Sequence, residues 1–328
     1  MKRILITGGA GFIGYHLAKR LADEQENQIV IIDNLTRGCM DHDFLELVDR
    51  QNVQFHEGDL IDCAIFDKLG CGYDEVYHFA ALIGVSNVLK RPKDVVKINS
   101  LSLLNLLEWF VSGGGGKIMF PSTSEAYAWT QKFYELPCPT PEDVPLALTD
   151  LENPRSSYAG SKIFGELAVT QYCLTHKLPY AIVRYHNVYG PRMGTQHVIP
   201  ELYYRVAFEK QRPVVVYSTD HTRAFCHVDD AVDATLASIR TPRLDNHTFN
   251  IGNDMEEIRI GDLARKILLA VGVDAQIEPR CAPNDPITRR CPDITRAREE
   301  LNYGPTISLD EGIRRTIAWY QAYYEKRD

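Results

Sequence analysis

A doubly wound α/β fold, a parallel sheet with helices on both faces, is predicted by three features of the sequence. Short runs rich in β-branched residues alternate with longer helical patterns through the first half of the chain. Those runs are almost continuously apolar, as strands buried on both faces are. The first of them passes straight into a glycine-rich turn that opens a helix, the arrangement by which such folds receive a dinucleotide.

The elements follow in order. "RILIT" (3–7) reads as a strand and is followed by a helix from Gly11 to about Glu24. "QIVIID" (28–33), "VQFHEGD" (53–59), "EVYHFAA" (75–81), "KIMFPS" (117–122) and "YAIVRY" (180–185) continue the strand series. Helices are expected at 92–111 and 157–176, and the run Gly113–Gly116 as a flexible turn without functional weight. After Tyr189-Gly190-Pro191-Arg192 the pattern loosens into shorter strands such as "VVVY" (214–217), helices at 229–239, 260–271 and 309–325, and Pro-rich stretches at 137–145 and 279–292. The expected division is a nucleotide-binding domain of 1–188, to which 224–252 returns. A smaller mixed α/β lobe of 189–223 and 253–328 is expected to bind substrate at the carboxyl edge of the sheet.

The chain has 328 residues, 45% of them hydrophobic, enough for a large buried interior. A net charge of −8 leaves no global basic footprint for nucleic acid or an anionic membrane. None of the 8 cysteines forms C-x-x-C and no His pair sits at metal spacing, so reduced thiols and no metal are expected. The apolar run at the N-terminus is too short for a signal peptide, and no stretch approaches the ~20 apolar residues of a membrane helix. A cytoplasmic protein is expected.

Three constellations carry chemistry. "TGGAGFIG" (7–14) contains glycines at the spacing of a phosphate-binding turn, where they permit a tight turn and close approach of the backbone to a pyrophosphate. Asp33 ends the second strand 19 residues past Gly14, the place of a carboxylate that binds a ribose diol and repels a 2′-phosphate. That favours NAD over NADP, with Arg37 nearby the one contrary sign. "FPSTSEAYA" (120–128) gathers Ser122, Thr123, Ser124 and Glu125 where an apolar strand ends. "SSYAGSK" (156–162) places Tyr158 and Lys162 on one helix face. A phenol of reference pKa about 10 is a poor base at neutral pH, and a neighbouring ammonium is expected to lower that value.

With these pieces assembled, the chain resembles the extended short-chain dehydrogenase/reductase family, the nucleotide-sugar epimerases, dehydratases and decarboxylases with a Rossmann domain. The resemblance runs over essentially the whole length and includes "EGDL" (57–60), "HFAA" (78–81), Asn99, "RYHNVYGPRM" (184–193), "TRAFCHVDDAV" (222–232) and "RRCPDITRAREEL" (289–301). It implies an NAD site built from Gly8, Gly11, Phe12, Ile13, Gly14, Asp33, Asn34, Asp59, Leu60, Ala80, Ala81, Asn99, Tyr158, Lys162 and Tyr185. It implies that Thr123 hydrogen-bonds the sugar 4-hydroxyl, that Tyr158 takes its proton while C4 gives hydride to NAD, and that Lys162 holds the nicotinamide ribose and tunes Tyr158. For a nucleotide-diphosphate sugar it implies contacts from Asn187, Arg192, Arg223 and Arg290, with Tyr217 stacked on the base. It also implies a homodimer in which the helices at 92–111 and 157–176 form a four-helix bundle.

Thr123-Ser124-Glu125 subdivides the family. The usual hexose 4,6-dehydratases resemble Thr-Asp-Glu, and a serine is a poor general acid in place of that aspartate. Thr-Ser-Glu resembles UDP-glucuronate decarboxylases and GDP-mannose 4,6-dehydratases; the latter usually prefer NADP, against which Asp33 speaks. "GPRM", "TRAF" and "RRCPDITRA" also look more like the decarboxylases. Ala159, Ile163 and Ala128 depart from the decarboxylase pattern, which usually has an acid, a base and a glycine there. The 4-epimerase, 4,6-dehydratase and C4-dehydrogenase readings stay open. So does one of another class, a catalytically silent NAD-binding scaffold, against which the intact Thr123, Tyr158 and Lys162 weigh.

Overall fold

The structure, a computed structural model, describes residues 1–241, 246–281 and 287–325, which fall into two units. The first takes the described residues of Met1–Thr130, Pro145–Arg184 and Thr235–Phe249; the second takes those of Gln131–Val144, Tyr185–Ala234 and Asn250–Asp328.

The first unit is built on a sheet of 7 strands: β1 (Lys2–Thr7), β2 (Asn27–Asp33), β3 (Val53–Glu57), β4 (Tyr73–His78), β5 (Gly115–Thr123), β6 (Tyr180–Tyr185) and a last strand, His247–Ile251. Their order is β3, β2, β1, β4, β5, β6, then the last strand. β1 runs parallel to β2 and β4, β2 to β3, and β4 to β5. The order reverses between β1 and β4, and the carboxyl ends of those two strands flank the crevice where such sheets take ligands.

The strands are apolar because both faces are covered: Ile4, Leu5, Ile6 and Ile31 have no exposed surface. Against one face lie Leu103, Leu106, Leu107 and Phe110 of the helix Pro92–Trp109 and the turn after it, with Val169 and Cys173 of the helix Ser156–His176. Gly165 lets the latter helix rest directly on β5, since a side chain there would overlap the Phe120 ring. The Gly113–Gly116 run enters β5 through Gly113, whose φ of 106° suits glycine.

The strands expected to reach residues 59 and 81 stop at Glu57 and His78. The Phe79 N–H still bonds the Thr7 carbonyl at 2.8 Å, after which Ala80 leaves the ladder toward Gly8.

The second unit is mixed α/β. Thr222–Ala224 lies between Glu257–Arg259, antiparallel, and Arg289–Arg290, parallel; Val214–Tyr217 pairs with Ile277–Arg280. The helices Val198–Ala207, Ile260–Val271 and Leu309–Glu325 complete it. The segment 131–144, assigned from sequence to the nucleotide-binding domain, belongs to this unit. The Thr140 N–H donates to the Cys291 carbonyl at 2.9 Å, and Glu142 accepts the Asn250 N–H at 2.8 Å. None of the described cysteines is in a disulfide, and among the described residues no helix is long and apolar enough to cross a membrane.

Candidate active site

β1 ends at Thr7, and the chain turns through Gly8 at φ 73° into the helix Phe12–Ala22. A Cβ on Gly8 would stand 2.5 Å from the Ala80 nitrogen, and one on Gly14 would overlap the Gly8 carbonyl. The Gly11 N–H closes the turn on the Gly8 carbonyl at 3.1 Å. Gly11 is the N-cap, so Phe12, Ile13 and Gly14 supply the first-turn N–H groups, which have no acceptor within a helix and sit at its positive end. This bare backbone cradle fits a pyrophosphate.

Asp33 is 7% exposed at the end of β2. Its two oxygens accept the Ala10 N–H at 3.1 Å and the Leu35 N–H at 2.8 Å. These bonds hold the carboxylate beside the turn. Asn34 donates to Asp59 at 3.0 Å, joining the loops after β2 and β3. The Leu60 side chain is in the core, so only its backbone is available. After β4, Ala80 donates its N–H to the Thr7 hydroxyl at 3.3 Å, Ala81 is partly buried, and His78 shares a 2.9 Å bond with the same hydroxyl.

Asn99 is buried and bonded on both sides of its amide. Its carbonyl accepts the Leu82 N–H at 2.7 Å, and its amide donates to the Leu82 carbonyl at 3.2 Å and to Ser161 at 3.1 Å. It clamps the loop after β4 to the helix that carries Tyr158.

That helix and the end of β5 bring the remaining candidate residues together. Thr123 and Ser124 are buried, and the Glu125 N–H bonds the Thr123 hydroxyl at 3.3 Å at the start of a short helix. Tyr158 packs against Leu82, Val88 and Val95. The Thr123 hydroxyl and the charge of Glu125 both act on the phenol. Thr123, Glu125 and Tyr158 are thus together.

The direction of the Tyr158 pKa is opposite to the expectation. Burial, and then the Glu125 charge, push it above its ordinary value; the Thr123 hydroxyl and the Arg37 guanidinium oppose them. The Lys162 ammonium goes instead to the Pro121 carbonyl at 2.6 Å. Burial pulls Lys162 down to about 8, and the charge of Glu166 opposes this.

In the second unit, Arg223 and Arg290 are register partners on adjacent parallel strands. The Arg223 guanidinium donates to the carbonyls of Thr222, Ile287 and Thr288. Asn187, with φ 39°, donates to the Ala224 carbonyl at 2.9 Å, and Arg192 has φ 62°. Tyr217 is half exposed at a strand end, and Tyr185 is 9% exposed at the end of β6.

The sequence matches the model of the NAD dependent epimerase/dehydratase family over residues 4–252. The chain belongs to this family. It is an NAD-dependent enzyme, in keeping with the turn at Gly8. Among curated relatives, it is 31% identical to a UDP-N-acetyl-alpha-D-glucosaminuronate decarboxylase of Bacillus cytotoxicus, over 98% of each chain. It is also 31% identical to a dTDP-glucose 4,6-dehydratase of Streptomyces antibioticus, over 97% of this chain and 92% of that one. Among solved structures, it superposes with a TM-score of 0.85 and 26% identity on a variant UDP-glucuronic acid 4-epimerase of Bacillus cereus, in complex with UDP-4-deoxy-4-fluoro-glucuronic acid and NAD. That match covers 98% of this chain and 100% of the other.

Within this epimerase/dehydratase chain, sequence reading missed Glu166, Arg184 and the bearing of Arg37 on the phenol. Arg37 is the cation that acts on Tyr158. Arg184 and Glu166 are 5% and 7% exposed and form a buried ion pair at 2.7 Å. A signal existed for both: "YAIVRY" has one charge inside an apolar strand, which demands a buried partner, and Glu166 is one helical turn past Lys162.

Proposed function

We propose that this enzyme decarboxylates UDP-glucuronate through a 4-keto sugar. The observation that carries the reading is the meeting of the Thr123 hydroxyl, the Glu125 carboxylate and the partly buried Tyr158 phenol at one strand end. Thr123 binds the sugar 4-hydroxyl and Tyr158 takes its proton. NAD, when bound, supplies the C4 hydride acceptor and a positive charge that favours the phenolate. The ketone lies β to the C6 carboxylate, so CO₂ can leave with its bonding electrons delocalised across C4 and C5, and a proton must then reach C5. Glu125 handles that proton, a task a plain 4-epimerase does not have. Ser124 in the position of a dehydratase aspartate, and Asp33 against NADP, favour this reading over the dehydratases. The decarboxylase among the relatives supports it.

Arg223 and Arg290 take the diphosphate, for which paired guanidinium forks are suited, with Asn187 and Arg192 beside them in the assignment and Tyr217 stacked on the base. Mass analysis of products from UDP-, GDP-, CDP- and dTDP-sugars tests the function: loss of CO₂ from a UDP-uronate is expected. Loss of water from a neutral hexose would establish a dehydratase instead.

Asp33→Ala is expected to weaken NAD by roughly 1.5–3 kcal/mol, the worth of hydrogen bonds to a charged group, and to relax discrimination against NADP. Calorimetry showing equal affinities of the parent enzyme for NAD and NADP would overturn the role given to Asp33.

A homodimer through the helices Pro92–Trp109 and Ser156–His176 is also proposed. These two helices pack on one another within the chain. Leu107 and Val169 serve the core, whereas Leu101, Phe164 and Leu167 are exposed and supply an apolar face. Sedimentation as a monomer at micromolar concentration would refute it.

A further inference from the structure

Glu166 stands one helical turn past Lys162 and is nine-tenths buried. One of its oxygens accepts the Ser122 hydroxyl at 2.5 Å and Arg184 Nε at 2.9 Å; the other accepts Arg184 Nη2 at 2.7 Å. Lys162 donates to the carbonyl of Pro121, the residue before Ser122. The helix therefore grips two consecutive residues of β5, with the ammonium on one and the carboxylate on the next. The strand then runs straight into Thr123, Ser124 and Glu125.

A buried ion pair is weak evidence for stability, because desolvating both charges roughly cancels their attraction. An anion kept here at that cost has another use. The groups facing Lys162 are few. Its own helix brings Glu166, and β4 brings His78. β5 brings the Pro121 carbonyl and the Phe120 ring, whose centroid is 4.8 Å from Nζ. Arg184 of β6 lies behind Glu166, and Glu125 acts on Tyr158. His78 offers no charge: burial, and then the Lys162 ammonium, hold it down to about 3.

We propose that Glu166 is a positioning residue of the active centre: Ser122 and Arg184 hold its carboxylate where it supplies the negative charge that keeps Lys162 an ammonium. The proposal rests on the assignment of Lys162 and Tyr158 to the reaction. Burial alone would drive Lys162 toward the neutral amine, and a neutral amine could not hold a ribose by charge-assisted bonds.

Carbon-13 NMR of protein labelled at lysine Cε reads the titration of Lys162 without cofactor or substrate, with Lys162→Met identifying the resonance. The parent midpoint is expected near pH 8, the value to which burial lowers it. In Glu166→Gln the midpoint should fall by about one pH unit, a tenfold loss of proton affinity. That variant takes the carboxylate from beside Arg184, so Glu166→Gln with Arg184→Met is the companion that removes both charges together; a smaller fall, still below the parent midpoint, is expected, because the opposing cation goes too. A parental midpoint in the folded double variant overturns the proposal and makes the pair a packing device. Failure of the catalytic reading shows separately, as near-normal turnover by Tyr158→Phe with the Lys162 titration unaffected.

Discussion

Tyr158→Phe lowers kcat by roughly two to four powers of ten, the usual reach of a general acid/base group, with little change in nucleotide-sugar affinity. The phenyl ring keeps its packing against Leu82, Val88 and Val95, so the helix and its Lys162 stay in place. Only the phenol hydroxyl, on which Thr123 acts, is lost. Proton transfer at the sugar 4-hydroxyl contributes in the transition state, so the loss belongs in kcat and not in ground-state binding. Single-turnover rates and calorimetry separate the two. A near-normal rate would remove Tyr158 from the mechanism.

Glu125→Gln separates oxidation at C4 from the later protonation of C5. Thr123, Tyr158 and Lys162 remain, so the variant still forms the 4-keto sugar and NADH absorbance builds up. Protonation of C5 after CO₂ has left, and with it release of the product, slows by roughly two to four powers of ten. The structure sharpens the expectation, because the Glu125 charge pushes the Tyr158 pKa up and the amide does not. Proton removal from the 4-hydroxyl therefore becomes no harder while the later step stalls. A carboxylate that served only packing would lose little on replacement by its isostere. If stopped-flow traces show no build-up and turnover is normal, Glu125 is a loop residue and the 4-epimerase reading takes precedence.

The sheet was legible because strands buried on both faces, such as "ILI" in β1 and "IVII" in β2, carry their burial in composition. Asp33 was legible because a dinucleotide's dimensions fix its distance from the glycine turn. Strand ends were not, since the approach of Ala80 to Gly8 is set by tertiary structure. Asn99 stood out as a residue, but its partners Leu82 and Ser161 are distant in sequence. The spacing of Tyr158 and Lys162 placed them on one face; it could not show that the ammonium reaches Pro121, or that apolar neighbours and Glu125 drive the phenol upward. The segment 131–144 carries no strong element signal, and hydrogen bonds from Asn250 and to Cys291 decide which unit it joins.

The most direct test of the account uses UDP-glucuronate deuterated at C4. If Tyr158 and the cofactor oxidise C4, Glu125 acts on the resulting ketone, and the same hydride returns, mass spectrometry of the product will show loss of CO₂ with the deuterium retained at C4. A product of unchanged mass, or a decarboxylated product that has lost its deuterium, would contradict it.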